Sequence, residues 1–170
     1  MSRLLMFAAL AGTVSSTNMT CSLGTSPSTA TLILVMPGPA ATLVDPSTSI
    51  SLEFGQPMMA GMEQFVDLHR GAIIGPTVAM NCAWSPDMVT LTCTPTMPLM
   101  TGTHYTIHVG AGITDADGQV IEMNYWTTRG GQWATSGIMG ETHGGQPIDM
   151  MGPGWKQGSH CGMLFVFTTG

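Results

Sequence analysis

Strict alternation of apolar and polar residues recurs along this chain and restricts its fold more than any other feature. In "TSISLEF", Ile50, Leu52 and Phe54 alternate with Ser49, Ser51 and Glu53. In "TVAMNCAW", Val78, Met80, Cys82 and Trp84 share one face, and in "MVTLTC" Val89, Leu91 and Cys93 alternate with threonines. "HYTIHV" sets Tyr105, Ile107 and Val109 against His104, Thr106 and His108, and the chain closes on the β-prone run "MLFVFTT". A period of two puts successive side chains on opposite faces of a strand. Turn chemistry separates the runs: "SPDM" at 85–88 joins two strands as a hairpin, and "DADG" at 115–118 makes another tight turn. Only "PMMAGMEQF" could form a helical turn or two. Short strands at regular spacing with this turn content predict an all-β fold, an antiparallel β-sandwich.

Composition narrows the class further. With 170 residues the chain suits one domain. Charged residues make up 8% of it, against roughly 25% in an ordinary soluble domain. That balance is common in extracellular β proteins and unusual in cytosolic enzymes. The net charge is −6 with four Lys and Arg in all. Such a chain cannot supply the cationic patch that nucleic acid or an anionic membrane surface requires.

The amino end "MSRLLMFAALAGTVSSTNMTC" places one Arg before an apolar run over Leu4–Val14. The run is too short to span a bilayer and suits a secretory signal segment over 1–21. Cys21 raises a lipid anchor as the minority reading, though "NMT" before it is a poor lipobox, and a buried amino-terminal strand is the bland alternative. Residues 22–30 are Ser/Thr-rich and read as a linker, leaving 31–170 as the domain. No later stretch is a transmembrane candidate, so the expected location is periplasmic or cell-surface.

The runs "MPGPAATLVDPSTSISLEFGQPM", "WSPDMVTLTCTPTMPLMTGTHYTIHVGAGITDADGQ" and "FVFTTG" resemble a bacterial Ig-like domain of the S-layer (SbsA-like) type. The likeness covers most of residues 36–122 and the last strand. It implies an Ig-like β-sandwich and points to structural modules, adhesins and appendages. The proline-led start, the "LEF" strand and the "PTMPLMTGTHY" run are also similar, more weakly, to the CopC copper-resistance proteins. That likeness implies a small sandwich that binds copper through His and Met. Two departures block any transfer of a CopC site: no His is placed to become a new amino terminus, and "HRGAIIGPTVAM" lacks the methionine-rich loop.

In the S-layer type the turn "D-x-x-G" leads shortly to the closing strand, whereas here a long insertion, about 123–162, intervenes. "EMNYWTT" at 122–128 resembles a first version of that strand, and "MLFVFTTG" is the better one. Loops longer than about 12–15 residues are usually functional or disordered. The distal part, "HGGQPIDMMGPGWKQGSHCGM", gathers His143, Met150, Met151, His160, Cys161 and Met163, with Met139 just upstream. Thioether and thiolate sulfur select Cu(I), and imidazole serves either copper state. The whole chain holds 16 Met against 5 Phe, although a β-rich core ordinarily prefers Val, Ile and Phe. Met59 and Met62 could complete a copper site if their corner lies near the insertion, while Met58 reads as ordinary core. The bland alternative is a surface loop whose Met and Trp side chains merely cover the sandwich.

Cys82 and Cys93 lie near cross-strand register, so a disulfide is geometrically allowed in an exported protein. Two reduced buried thiols, or a thiolate pair on a metal, remain open alternatives. Four cysteines allow three connectivities, and Cys161 has no evident partner unless Cys21 supplies one. His104 and His108 on one strand lie about 13 Å apart and cannot chelate one ion unaided. Either could combine with a residue of a neighbouring strand. His69, beside Arg70 at a strand end, is expected to face solvent. "DADG" lacks the remaining ligands of a calcium loop.

No nucleophile elbow, His-Glu-x-x-His motif, phosphate loop or carboxylate pair marks an enzyme. The leading expectation is an exported Ig-like protein that binds copper, chiefly Cu(I), for sequestration or delivery. The alternative is a structural or adhesive module without a metal role. Its insertion would then contact neighbouring subunits or another cell-envelope protein through exposed Trp126, Trp133 and Trp155.

Overall fold

A computed structural model describes residues 31–134 and 162–170 in full and, between them, the backbone of four two-residue strands. The signal and linker expected over 1–30 lie outside the described residues.

The first sheet has the order β1-β2-β5-β4, with β1 Leu32–Met36, β2 Ile50–Phe54, β4 Met80–Trp84 and β5 Thr90–Pro95. The second has the order β3-β6-β12-β7, with β3 Val66–Arg70, β6 His104–Val109, β7 Gln132–Trp133 and β12 Met163–Thr168. Every pairing within these sheets is antiparallel. The four short strands, β8 Thr142–His143, β9 Gln146–Pro147, β10 Lys156–Gln157 and β11 His160–Cys161, pair as two small hairpins.

The core lies between the two sheets. Leu52, Leu91 and Cys93 face it from one side and Leu68, Ile107, Phe165 and Phe167 from the other, all at most 1% exposed. Alternation buries the core-facing set of β2, β3, β5 and β12, as the sequence predicts, whereas that of β4 is half-buried and β6 is buried on both faces. Cys82 and Cys93 are directly opposite in the β4–β5 register and are joined by a disulfide.

The turn at 115–118 is built around a buried carboxylate. Asp115 Oδ1 accepts the amides of Asp117 and Gln119 at 3.0 and 2.7 Å, and Gln56 donates to Oδ2. Gly118, at φ +78°, supplies the left-handed residue. The "PMMAGMEQF" stretch contributes one 3-10 turn, Met62–Phe65, entered through Gly61 at φ +87°.

Two expectations are corrected. "EMNYWTT" is not a strand: Asn124–Thr128 form a 3-10 turn that drives Trp126 inward. Trp126 is therefore buried and no interface anchor, stacking edge-on against Phe165 at 5.4 Å. Trp133 is half-buried against the core, and Trp155 lies outside the described residues. The front of the insertion, 123–134, is thus part of the sandwich.

Candidate metal centre

β3 and β6 pair with Asp67 opposite His108 and His69 opposite Thr106. Val66 and Leu68 on β3, and Ile107 and Val109 on β6, face the core, so alternation turns Asp67, His69 and His108 to the outer face of the second sheet. An outer face is ordinarily wet. Here His69 is 1% exposed and His108 0%, with the Asp67 side chain at 21%. The expectation that His69 faces solvent is therefore corrected.

The cover comes from two directions. After β3 the chain reverses at Gly71, φ +81°, whose carbonyl accepts the Thr106 hydroxyl at 2.6 Å. The Arg70 and Val78 amides then bond to the carbonyls of Pro76 and Leu68, at 2.9 and 2.7 Å, folding 71–76 back on β3. Within that loop Ile73 packs with Ala134 and Leu164. The second cover is the stem of the insertion. The Ala134 amide donates to the Gly162 carbonyl at 2.7 Å, so the insertion leaves and re-enters at one place. That place abuts His108: a Cβ added to Gly162 would stand 2.5 Å from His108 Nε2.

Within this enclosure one donor atom from each of Asp67, His69 and His108 lies within 4.8 Å of the others. His108 Nδ1 is 3.8 Å from Asp67 Oδ2. His69 Nδ1 is 3.1 Å from the Gly75 carbonyl. A carbonyl only accepts, so Nδ1 carries the proton and Nε2 presents its lone pair. Burial holds the His69 pKa below the usual imidazole value. The Gly75 hydrogen bond and the Asp67 charge oppose that shift and His108 adds to it. His69 is thus neutral near pH 7. His69 Nε2 and Asp67 Oδ2 are buried and make no hydrogen bond within the described residues.

The methionine corner lies at the same end of this sheet. The 3-10 turn feeds β3 at Val66, which faces Val109 on β6, which in turn faces Met163 on β12. β3 and β12 are therefore two strands apart, about 10 Å at the usual strand spacing. Met62 is buried and Met59 is 40% exposed. Both sulfurs approach Thr114, whose hydroxyl is 3.5 Å from Met62 Sδ and 4.0 Å from Met59 Sδ, while its amide points at Met62 Sδ at 3.3 Å. Met163 departs from the ligand expectation. It is fully buried, and its sulfur would meet a Cβ on Gly131 at 2.9 Å, which places it in packing against the Trp126 side of the core. His143, His160 and Cys161 stand on the short strands, of which only the backbone is described, and Met139, Met150 and Met151 lie outside the described residues.

Sequence reasoning missed the Asp67, His69 and His108 set. The readable signal was "DLH": an acid and an imidazole two residues apart on a strand share one face.

Two packed antiparallel four-stranded sheets with a disulfide at their interior define an Ig-like sandwich. The chain belongs to the bacterial Ig-like domain family, whose model matches residues 25–129. Among curated proteins no relative matches. Solved structures with a similar fold include the surface layer protein SbsC, domains 1–6, at 21% identity and TM-score 0.42, covering 56% of this chain and 13% of that one. Another is PcoC, a methionine-rich copper resistance protein from Escherichia coli, at 17% identity and TM-score 0.42, covering 55% of this chain and 98% of that one. A third is L,D-transpeptidase 1 of Mycobacterium tuberculosis, at 12% identity and TM-score 0.37, covering 55% and 38%. The chain spans 12–21% of the S-layer structures it matches. Among the described residues no helix is long and apolar enough to cross a membrane.

Proposed function

We propose that the chain is a structural or adhesive Ig-like module of an exported bacterial envelope protein, and that its role is binding and spacing rather than catalysis. The family match over residues 25–129 carries this reading. The Cys82–Cys93 disulfide adds support, since such bonds persist in oxidising compartments. Low charge and a Thr- and Ser-rich surface suit the same setting. The test is thiol trapping of intact cells followed by fractionation. The protein is expected in the exported fraction with Cys82 and Cys93 oxidised. A cytosolic pool with both thiols reduced would reject the reading.

A second reading is copper(I) sequestration by the insertion, through Met139, Met150, Met151, His143, His160 and Cys161, with help from Met59 and Met62. The observation favouring it is the convergence of two thioethers on Thr114 at the sheet end where the insertion is anchored. Competition against a Cu(I) chelator under reducing conditions tests it. Tight binding that falls on replacing Met150 and Met151 by Ala supports the reading, and an unchanged chelator spectrum rejects it.

A further inference from the structure

We propose that Asp67, His69 and His108 form a binding site for one divalent first-row transition-metal ion, of the zinc class, on the outer face of the second sheet. This goes beyond the module reading and uses none of the residues of the copper(I) reading. Three observations carry it.

The first is the state of the donors. Buried polar atoms are almost always hydrogen-bonded, and an exception asks for an explanation. His69 Nε2 and Asp67 Oδ2 are both such exceptions, and both lie in one cluster. A buried carboxylate oxygen of a half-buried Asp67 and a buried imidazole lone pair have nothing to offer each other, since both only accept. A cation between them satisfies both.

The second is orientation from behind. Metal-bound histidines commonly donate their other ring N–H to a backbone carbonyl, which fixes tautomer and ring angle. Gly75 does this for His69 at 3.1 Å. Glycine is required at this position, because a Cβ there would stand 1.9 Å from the Arg70 carbonyl oxygen.

The third is spacing. Ligands of a tetrahedral zinc ion, with bonds of about 2.0–2.1 Å, stand about 3.3 Å apart. The donors already lie within 4.8 Å of one another, so small side-chain rotations close the set. With two histidines and one carboxylate as ligands, a four-coordinate divalent ion keeps net charge +1 and one open coordination position. The set adds a hard carboxylate and contains no sulfur, so it favours zinc or copper(II) over Cu(I). Bound there, the ion ties β3 to β6 beneath the insertion stem.

The experiment uses the full oxidised chain freed of metal by a chelator and titrated with Zn²⁺. One equivalent is expected to bind, raising Tm by about 5–10 °C at a hundredfold excess over Kd. His69→Gln and Asp67→Asn are each expected to weaken binding at least 100-fold while keeping the far-ultraviolet spectrum of the parent. Copper(II) added to the unaltered chain provides a readout free of mutation, with an electron paramagnetic resonance signal split by two imidazole nitrogens. Absence of saturable Zn²⁺ binding, or a copper(II) signal without nitrogen splitting, would overturn the site. So would binding that survives both substitutions but disappears with Met150→Ala and Met151→Ala, because the ion would then sit in the insertion. None of these results touches the exported-module reading, which the thiol-trapping test decides separately.

Discussion

The indole N–H of Trp126 donates to the carbonyl of Leu32 at 2.8 Å, joining the start of the insertion to the first strand of the sandwich. Both residues are buried. The bond satisfies a β1 carbonyl and locks the 3-10 turn in place. Trp126→Phe keeps a ring against Phe165 but leaves that carbonyl without its donor. A loss of about 1–3 kcal/mol in unfolding free energy is expected, the usual cost of an unsatisfied buried group. Urea unfolding of the variant against the parent measures it, and a change within error would mean that water replaces the indole.

Cys82 and Cys93 face each other across β4 and β5 and close a short loop, with a sequence separation of 11. In the chain-entropy account a loop of this length contributes about 2.5–3 kcal/mol. Joint replacement by Ala is expected to lower stability by about that much, plus the packing lost around Cys93, which is fully buried. Thermal melting of parent and double variant, with and without reductant, checks it. Reductant should destabilise the parent by more than it does the variant, the difference being the Cys82–Cys93 contribution.

The sandwich was legible in the sequence because each strand writes its own pattern. Ile50, Leu52 and Phe54, or Tyr105, Ile107 and Val109, declare a buried face by alternation alone. The "DADG" turn was equally local, since the Asp115 carboxylate binds amides two and four residues on. What could not be read is what covers an outer face. Alternation assigns His69 and His108 to the side away from the core, and only tertiary structure then shows the 71–76 loop and Gly162 closing over them. Trp126 failed for a related reason: its partner, Leu32, is remote in the chain and no periodicity announces it. The copper expectation rested on residues 139–161, whose side chains lie outside the described residues, on the Met59 and Met62 corner and the methionine excess, and on Met163, which the β12 alternation sends inward.

Gly75 is predicted to be among the least replaceable residues outside the core. A methyl there would stand 1.9 Å from the Arg70 carbonyl oxygen, an overlap that only a shift of the loop can relieve. Gly75→Ala is expected to destabilise the protein by about 1–3 kcal/mol, in the range of strained backbone substitutions. Gly38→Ala, with nothing within 4 Å, should stay within about 0.5 kcal/mol of the parent. Melting curves of the two variants give the contrast. Nitrogen chemical shifts of His69 add a second reading, since loss of the Gly75 bond should release the Nδ1–H tautomer.

Acidification is expected to weaken the metal-free protein through His69. Burial lowers its pKa in the folded state, so the unfolded chain takes up a proton first. The favourable contribution of the neutral ring is therefore complete above the unfolded value of about 6.5. It is lost progressively as pH falls below that value, with a limiting slope of about 1.4 kcal/mol per pH unit, and levels off below the folded pKa. The groups that set the folded value are Asp67 on the same strand, His108 on β6 and the Gly75 carbonyl in the covering loop. Asp67 and Gly75 favour the charged ring, whereas His108 and burial disfavour it, so the net direction is a test of how well the cover excludes water. Urea unfolding at pH 7.5, 6.5 and 5.5 in the presence of chelator should show stability falling in the parent and a shallower fall in His69→Gln. Equal slopes in the two proteins would mean that the 71–76 loop opens often enough to leave His69 hydrated.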